Sequence, residues 1–147
     1  MPGGDDYFGV YSTYFYKPRE GKLTLGPVWD FDRTMGCDHD RRARNPYGWS
    51  RNAFRFWYRE LFDDARFRAR YRERWRELRR GAFSDASIAR TIDAMAAPLA
   101  AAAERDTARW GAWTGLGIGG WPREVAELER WIAERLAWYD AAVAEMR

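Results

Sequence analysis

The pattern of apolar and polar positions changes period once along this chain. Residues 11–29 carry short runs of aromatic and β-branched side chains, which suit a pleated surface. Tyr11–Tyr16 reads as one strand and Lys22–Trp29 as a second, loosely alternating one with Leu23, Leu25 and Val28 directed inward. Between them Lys17–Gly21 gathers Pro, Gly and charge, a turn signal that makes the pair a β-hairpin. From residue 50 onward the period becomes helical. Ser50–Phe62 carries Phe54, Trp57, Leu61 and Phe62, and Asp64–Arg80 carries Phe67, Tyr71, Trp75 and Leu78 in one stripe that ends at Gly81. Ser84 is placed to cap a helix in which Ile88, Ile92, Met95 and Leu99 align, and Pro98 should bend or break it. An Ala-rich run leads to Trp110, a glycine-rich loop fills 111–120, and Pro122 opens a last helix. Its apolar face is Val125, Leu128, Trp131, Ile132, Leu136 and Tyr139, with Trp131, like Trp75, expected to be buried mid-stripe. The expected fold is α+β and mostly α: a β-hairpin followed by about four helices, in a single domain over 1–147 and without an internal repeat.

Composition narrows the choice of chemistry. The 147 residues make one domain's worth of chain, and 17% aromatic content with nine Trp is enough for a packed core despite 32% charge. The net charge of +3 is spread as Arg among Glu and Asp along helices. That is the signature of solvated helix faces rather than of a nucleic-acid patch, so no nucleic-acid partner is expected. Nothing in the first thirty residues resembles a signal peptide, and no apolar run approaches the length needed to span a bilayer. A single cysteine, Cys37, excludes an internal disulfide. Asp5 and Asp6 stand just ahead of the first strand with no structure before them, as expected of a piece of something longer.

Two carboxylates stand where the hairpin ends. Asp30 and Asp32 are two apart, so in extended backbone they share a face. Paired hard oxygens suit Mg²⁺, which takes one or two carboxylates together with phosphate oxygens. Asp at a strand end is also a common turn former or helix cap with no chemistry, so spacing alone leaves both readings open. Cys37 and His39 lie two apart in the 33–52 loop, yet a zinc site needs further ligands that the chain lacks, and the loop is expected to hold no metal. The Gly115-x-Gly117-x-Gly119-Gly120 run follows no strand and is a poor phosphate cradle.

The hairpin residues Tyr11-Ser12-Thr13-Tyr14-Phe15-Tyr16-Lys17, Gly21-Lys22-Leu23 and Leu25-Gly26-Pro27-Val28-Trp29-Asp30-Phe31-Asp32 resemble the CotH kinase family, named for a bacterial spore-coat protein. Arg74-Trp75-Arg76-Glu77-Leu78-Arg79, Ile92-Asp93, Arg109-Trp110 and Leu128-Glu129-Arg130-Trp131-Ile132-Ala133-Glu134-Arg135-Leu136-Ala137-Trp138-Tyr139-Asp140 agree with it in the same order. The resemblance implies the C-lobe of an atypical protein-kinase-like fold that moves phosphate from ATP to Ser or Thr of a protein substrate. It also implies Mg²⁺ or Mn²⁺ and ATP as cofactors. In a kinase C-lobe a catalytic Asp precedes a hairpin and a metal-binding Asp follows it. By that likeness Asp6 or Asp5 is the catalytic carboxylate, Asp30 the principal metal ligand and Asp32 a second one. The kinase Asn that holds a second metal has no match, and Ser12 or Thr13 stands near its place on the cofactor side. No glycine-rich loop with an ATP-orienting Lys precedes Asp6, so the chain is expected to be the C-terminal half of the domain and inactive alone. The family name points to a spore-coat or extracytoplasmic setting for the parent. The competing reading is a non-catalytic helical interaction module or a pseudokinase remnant.

Overall fold

A computed structural model describes residues 14–29, 34–36, 44–49, 56–111 and 120–146, the side chains of Phe56 and Trp57 excepted. Two short strands, β1 (Phe15–Tyr16) and β2 (Thr24–Leu25), pair antiparallel with Phe15 opposite Leu25 and Tyr16 opposite Thr24. Among the described residues five helices follow: α1 (Phe56–Asp63), α2 (Ala65–Arg80), α3 (Asp85–Ala96), α4 (Ala100–Trp110) and α5 (Trp121–Ala144). A single 3₁₀ turn, Ala97–Leu99, joins α3 to α4, so 85–110 is one bent helix and the count of about four stands. The bend falls at Pro98, which cannot donate to the helical ladder.

Side-chain chemistry sets the helix ends. Asp64 accepts from the Arg66 and Phe67 amides at 2.7 and 3.4 Å and starts α2. Arg68 reaches back from α2 to the Phe62 and Asp63 carbonyls at 2.5 and 2.9 Å, satisfying carbonyls that α1 leaves open. Ser84 accepts from the Ser87 amide at 3.3 Å and starts α3. Gly81 does end α2, but at φ −126° and not in the left-handed region that favours glycine at this place. The Leu78 carbonyl instead takes the amides of Gly81 and Phe83 at 3.0 and 2.8 Å. Pro122 sits in the first turn of α5 as expected, where its missing N–H costs nothing.

The core lies along α5. Trp131 and Val143 are its most buried apolar side chains, and Arg135 is buried beside them. The α2 stripe of Phe67, Tyr71, Trp75 and Leu78 turns toward it but is only half-buried. Trp75 is held partly open because its indole N–H donates to Asp140 at 2.8 Å. Arg72 adds a bond to the Met146 carbonyl just past the end of α5. The α3 stripe is followed for Ile88 and Ile92 and fails beyond them. Met95 and Leu99 were expected on the same buried face and are exposed, Met95 at 67%. Among the described residues nothing covers the chain where it enters the Pro98 bend. The hairpin departs from expectation too: Leu23, Leu25 and Val28 point to solvent, Val28 at 78% exposed. Two-residue strands make a ribbon with no second layer beneath it among the described residues, so neither face is an inner one.

Truncating Trp131 to Ala should cost roughly 3–5 kcal/mol, the usual loss for a buried aromatic. The same change at Trp75 should cost clearly less, since part of its ring is already wet. Urea unfolding of both variants checks the order; equal losses would contradict the burial found here.

Candidate functional site

The hairpin brings two chain ends side by side. The Gly26 amide donates to the Tyr14 carbonyl at 2.9 Å, and the Gly21 amide closes the turn on Pro18 at 3.1 Å. Tyr14 and Trp29 then meet edge to face, with ring centroids 6.3 Å apart. The residues entering β1 and leaving β2 are therefore neighbours, as antiparallel pairing requires. In sequence, Thr13 and Asp30 are next to those ends, Ser12 and Asp32 lie one and two residues further, and Asp5 and Asp6 stand nine and eight residues ahead of Tyr14. Asp5, Asp6, Ser12 and Thr13 precede Tyr14; Asp30 and Asp32 follow Trp29. All six lie outside the described residues, as do Cys37 and His39. Among the described residues no group of three or more His, Cys, Asp or Glu could hold a metal ion.

The chain beyond Asp32 is anchored on α5. Thr34 is buried, and Met35 and Gly36 take φ of 58° and 88° to turn against the helix. A Cβ added at Gly36 would lie 2.9 Å from Cδ1 and 3.1 Å from Cγ of Trp131, so the backbone rests directly on the indole. The same indole donates its N–H to the Arg44 carbonyl at 3.0 Å. One turn further along α5, Arg135 donates to the Pro46 and Gly48 carbonyls at 2.9 and 2.7 Å. Its guanidinium carbon sits 4.7 Å from the Trp138 ring centroid and 5.3 Å from that of Tyr139. Tyr47 donates to Glu134 at 3.0 Å, and Trp49 packs edge-on against Trp138 and Tyr139 at 5.3 and 5.0 Å. Residues 34–36 and 44–49 are thus strapped to one stretch of α5, from Trp131 to Tyr139.

Burial shapes the charges behind that strap. It pushes the Arg135 guanidinium below its ordinary value, which the neighbouring Tyr139 and Tyr71 oppose. Tyr71 and Tyr139 share a very short hydroxyl contact. Burial, and for Tyr71 the second phenol beside it, raises both above the usual tyrosine range. Below them Asp140 accepts from Trp75 and takes both oxygens to Arg79 Nε at 3.1 Å, while Arg79 also reaches Asp85 at 2.8 Å. Burial lowers the Arg79 guanidinium, but Asp85 and Asp140 outweigh it and the net direction is upward.

Two spaces flank the anchored turn and share Met35 and Trp131 as a wall. One, of about 410 Å³, is lined mainly by apolar side chains of α2, α3 and α5. The other, of about 310 Å³, lies toward the start of α5, beside Gly36, Arg44 and Trp121.

Trp131 and Tyr139 stand on the expected apolar stripe, but Arg135 was not singled out from the sequence, although a signal was present. Arg135 is four residues from both Trp131 and Tyr139, hence on the apolar stripe and not opposite it. A cation in that register has to find acceptors indoors. Asp140 carried no such mark, because its partners come from another helix.

The CotH kinase protein model matches residues 3–139. The chain belongs to the CotH kinase family. No curated protein and no solved structure matches it. Kinase membership brings ATP, a divalent metal ion and a protein substrate as general expectations. Among the described residues no helix is long and apolar enough to cross a membrane.

The tyrosine pair generates a pH prediction. A phenol whose folded value is raised favours the neutral form, so stability is fully present below the unfolded tyrosine value near pH 10. It is lost as pH climbs above that, because the unfolded chain ionises first. Thermal unfolding followed from pH 8 to 11 should show the melting temperature falling beyond about pH 10. Tyr71→Phe should flatten that fall; an equally steep fall in the variant would detach the effect from this pair.

Proposed function

We propose that this chain is the metal- and acceptor-binding part of an atypical protein kinase, moving the γ-phosphoryl group of ATP to a Ser or Thr hydroxyl. The observation that supports this reading is the antiparallel hairpin, whose neighbouring ends, Tyr14 and Trp29, lead to Asp5/Asp6 on one side and Asp30/Asp32 on the other. Phosphoryl transfer asks little of the protein beyond positioning and electrostatics. Asp6, or Asp5 in its place, orients the acceptor hydroxyl and takes its proton as the oxygen bonds to the γ-phosphorus and ADP departs. Asp30 is the principal metal ligand and Asp32 a supporting one. Their donor set is two hard carboxylate oxygens, which fits Mg²⁺ or Mn²⁺. When bound, that ion neutralises charge on the phosphate oxygens. Ser12 and Thr13 lie on the cofactor side, between Asp6 and β1. On this reading the 147 residues supply the metal- and acceptor-binding side of the site and are inactive alone. A spore-coat or extracytoplasmic setting is the compartment the family name favours.

A second reading draws on a different observation. Phe15, Tyr16, Leu25, Val28 and Trp29 are all exposed on the hairpin, as on a module that binds another protein without catalysis. Mn²⁺ titration of the purified chain, followed by the EPR signal of the free ion, separates the two. The kinase reading expects binding that Asp30→Asn weakens by about tenfold or more, as losing a principal ligand does. Binding that ignores Asp30→Asn and Asp32→Asn alike would favour the interaction module. The purified chain should also transfer no phosphate from ATP to a generic protein acceptor; Asp30-dependent transfer would place a complete nucleotide site within these residues.

A further inference from the structure

We propose that the outer face of α2 is a docking surface for an extended acidic segment of a partner protein, a role that does not depend on the metal ligands proposed above. The net charge of +3 hides an uneven distribution. Helix α2 holds eight arginines against two glutamates, whereas each of the other four described helices carries at least as many acidic as basic residues. Three of the eight are used inside the fold: Arg68 on the α1 carbonyls, Arg72 on the Met146 carbonyl, and Arg79 on Asp140 and Asp85. The other five, Arg66, Arg70, Arg74, Arg76 and Arg80, are exposed. Arg66 reaches Asp64 only at 3.8 Å with its side chain 93% exposed, and Arg74 pairs with Glu77 at 2.7 Å. Arg70, Arg76 and Arg80 have no ion pair among the described residues.

Packing does not ask for this face, and the helix is less stable for it. Arg66 and Arg70, Arg70 and Arg74, and Arg76 and Arg80 are like charges one turn apart, which repel. Arg80 agrees with the helix dipole, but Arg66 stands in a first turn that holds no acidic residue, where the dipole favours one. Counter-charge from outside the chain relieves both. The spacing fits an extended strand. Arg66, Arg70 and Arg74 recur every ~6 Å along the helix, and alternate side chains of an extended peptide recur every ~6.6 Å. Carboxylates at every second position of such a peptide therefore stay in step with the arginines, and each guanidinium fork can take both oxygens of one carboxylate. Nucleic acid fits less well. The aromatic side chains of α2, Phe67, Tyr71 and Trp75, turn toward α1 and α5, which leaves this face no platform for stacking bases. Glu73 and Glu77 stand in the middle of it, under the path of a continuous phosphate backbone. The acidic side chains of a peptide can be spaced to pass them.

The test follows the fluorescence anisotropy of a labelled peptide of alternating Glu and Ser, about seven residues long so as to span α2 from Arg66 to Arg80. It is titrated with the 147-residue chain at about 50 mM salt, where surface charge is weakly screened. The peptide should bind. Arg70→Gln, Arg76→Gln and Arg80→Gln combined should weaken it about tenfold, as the loss of three exposed ion pairs does. The melting temperature of that variant should equal or exceed the parent's, since like-charge repulsion is removed, which a merely structural role for these arginines would not give. Arg90→Gln, Arg105→Gln and Arg109→Gln combined change the net charge by the same amount on α3 and α4, and should leave peptide affinity within about twofold of the parent's. Absence of peptide binding, an α2 variant that binds like the parent, or an α3 and α4 variant weakened to the same degree would each overturn the docking surface. Single-stranded DNA of equal charge that bound more tightly than the peptide would overturn the acidic segment as the partner.

Discussion

A buried guanidinium sets the terms for everything packed around α5. Arg135 is 5% exposed, and among the described residues its partners are two backbone carbonyls and two aromatic faces, not a carboxylate. Removing a cation from water costs several kcal/mol even after the protein relaxes, so a site of this kind exists only if its hydrogen bonds are met. The carbonyls of Pro46 and Gly48 meet two of them. If that segment lifted away, the cation would be left among apolar rings, and the penalty for an unpaired buried charge far exceeds the worth of the bonds themselves. The 44–49 segment is therefore held less by its own contacts than by the cost of abandoning Arg135.

A second hub works on the opposite principle. Asp140 gathers Trp75 and Arg79 of α2, and Arg79 continues to Asp85 at the start of α3. The Asp140 side chain is 42% exposed and that of Arg79 19%, so water shares the charge and the pair alone is worth little. Its value is connectivity. One carboxylate on α5 accepts from two side chains on successive turns of α2, while the guanidinium between them also closes the α2–α3 corner. A solvated hub suits this join between helices that are only half-buried, where a bulkier apolar contact would need more core than the chain has.

These two hubs explain what was legible in the sequence. Helix existence and caps followed from local rules: Asp64, Ser84 and Pro122 act on their own helices, and the Pro98 bend is a property of one residue. The antiparallel hairpin was legible for the same reason, since its turn and strands are consecutive. Direction of burial was harder. Leu23, Leu25 and Val28 looked inward because alternation assumes a face to bury, and Met95 and Leu99 continued a periodic stripe past the point where α5 could cover it. Periodicity reports which residues share a side; only the tertiary arrangement decides whether anything lies against that side. The anchoring of Gly36 on Trp131 joins positions far apart in sequence, and a lone glycine after an acidic run gives no hint of the indole it needs. As for Asp5, Asp6, Ser12, Thr13, Asp30 and Asp32, their roles rest on family resemblance and on the hairpin between them.

The two flanks of the Asp30–Asp32 run are supported very differently, and that asymmetry bears on the phosphate transfer proposed above. Downstream, Thr34 is buried and Gly36 rests on the buried Trp131 indole. Upstream, Val28 and Trp29 are exposed, and the ribbon they belong to is two strands wide. Electrostatic catalysis gains its strength in a site that excludes water, where each charge acts at low effective dielectric. Among the described residues, the segment just after that run rests on a firm floor, whereas the strand end just before it is open to water. A ribbon rich in exposed aromatics is also the part of this chain that would gain most from being covered, since several large apolar side chains would leave water together. Covering the hairpin would bury those side chains and steady the strand at the same time. Under the kinase reading proposed above, rigidity on the α5 side and exposure on the hairpin side are two requirements of one site.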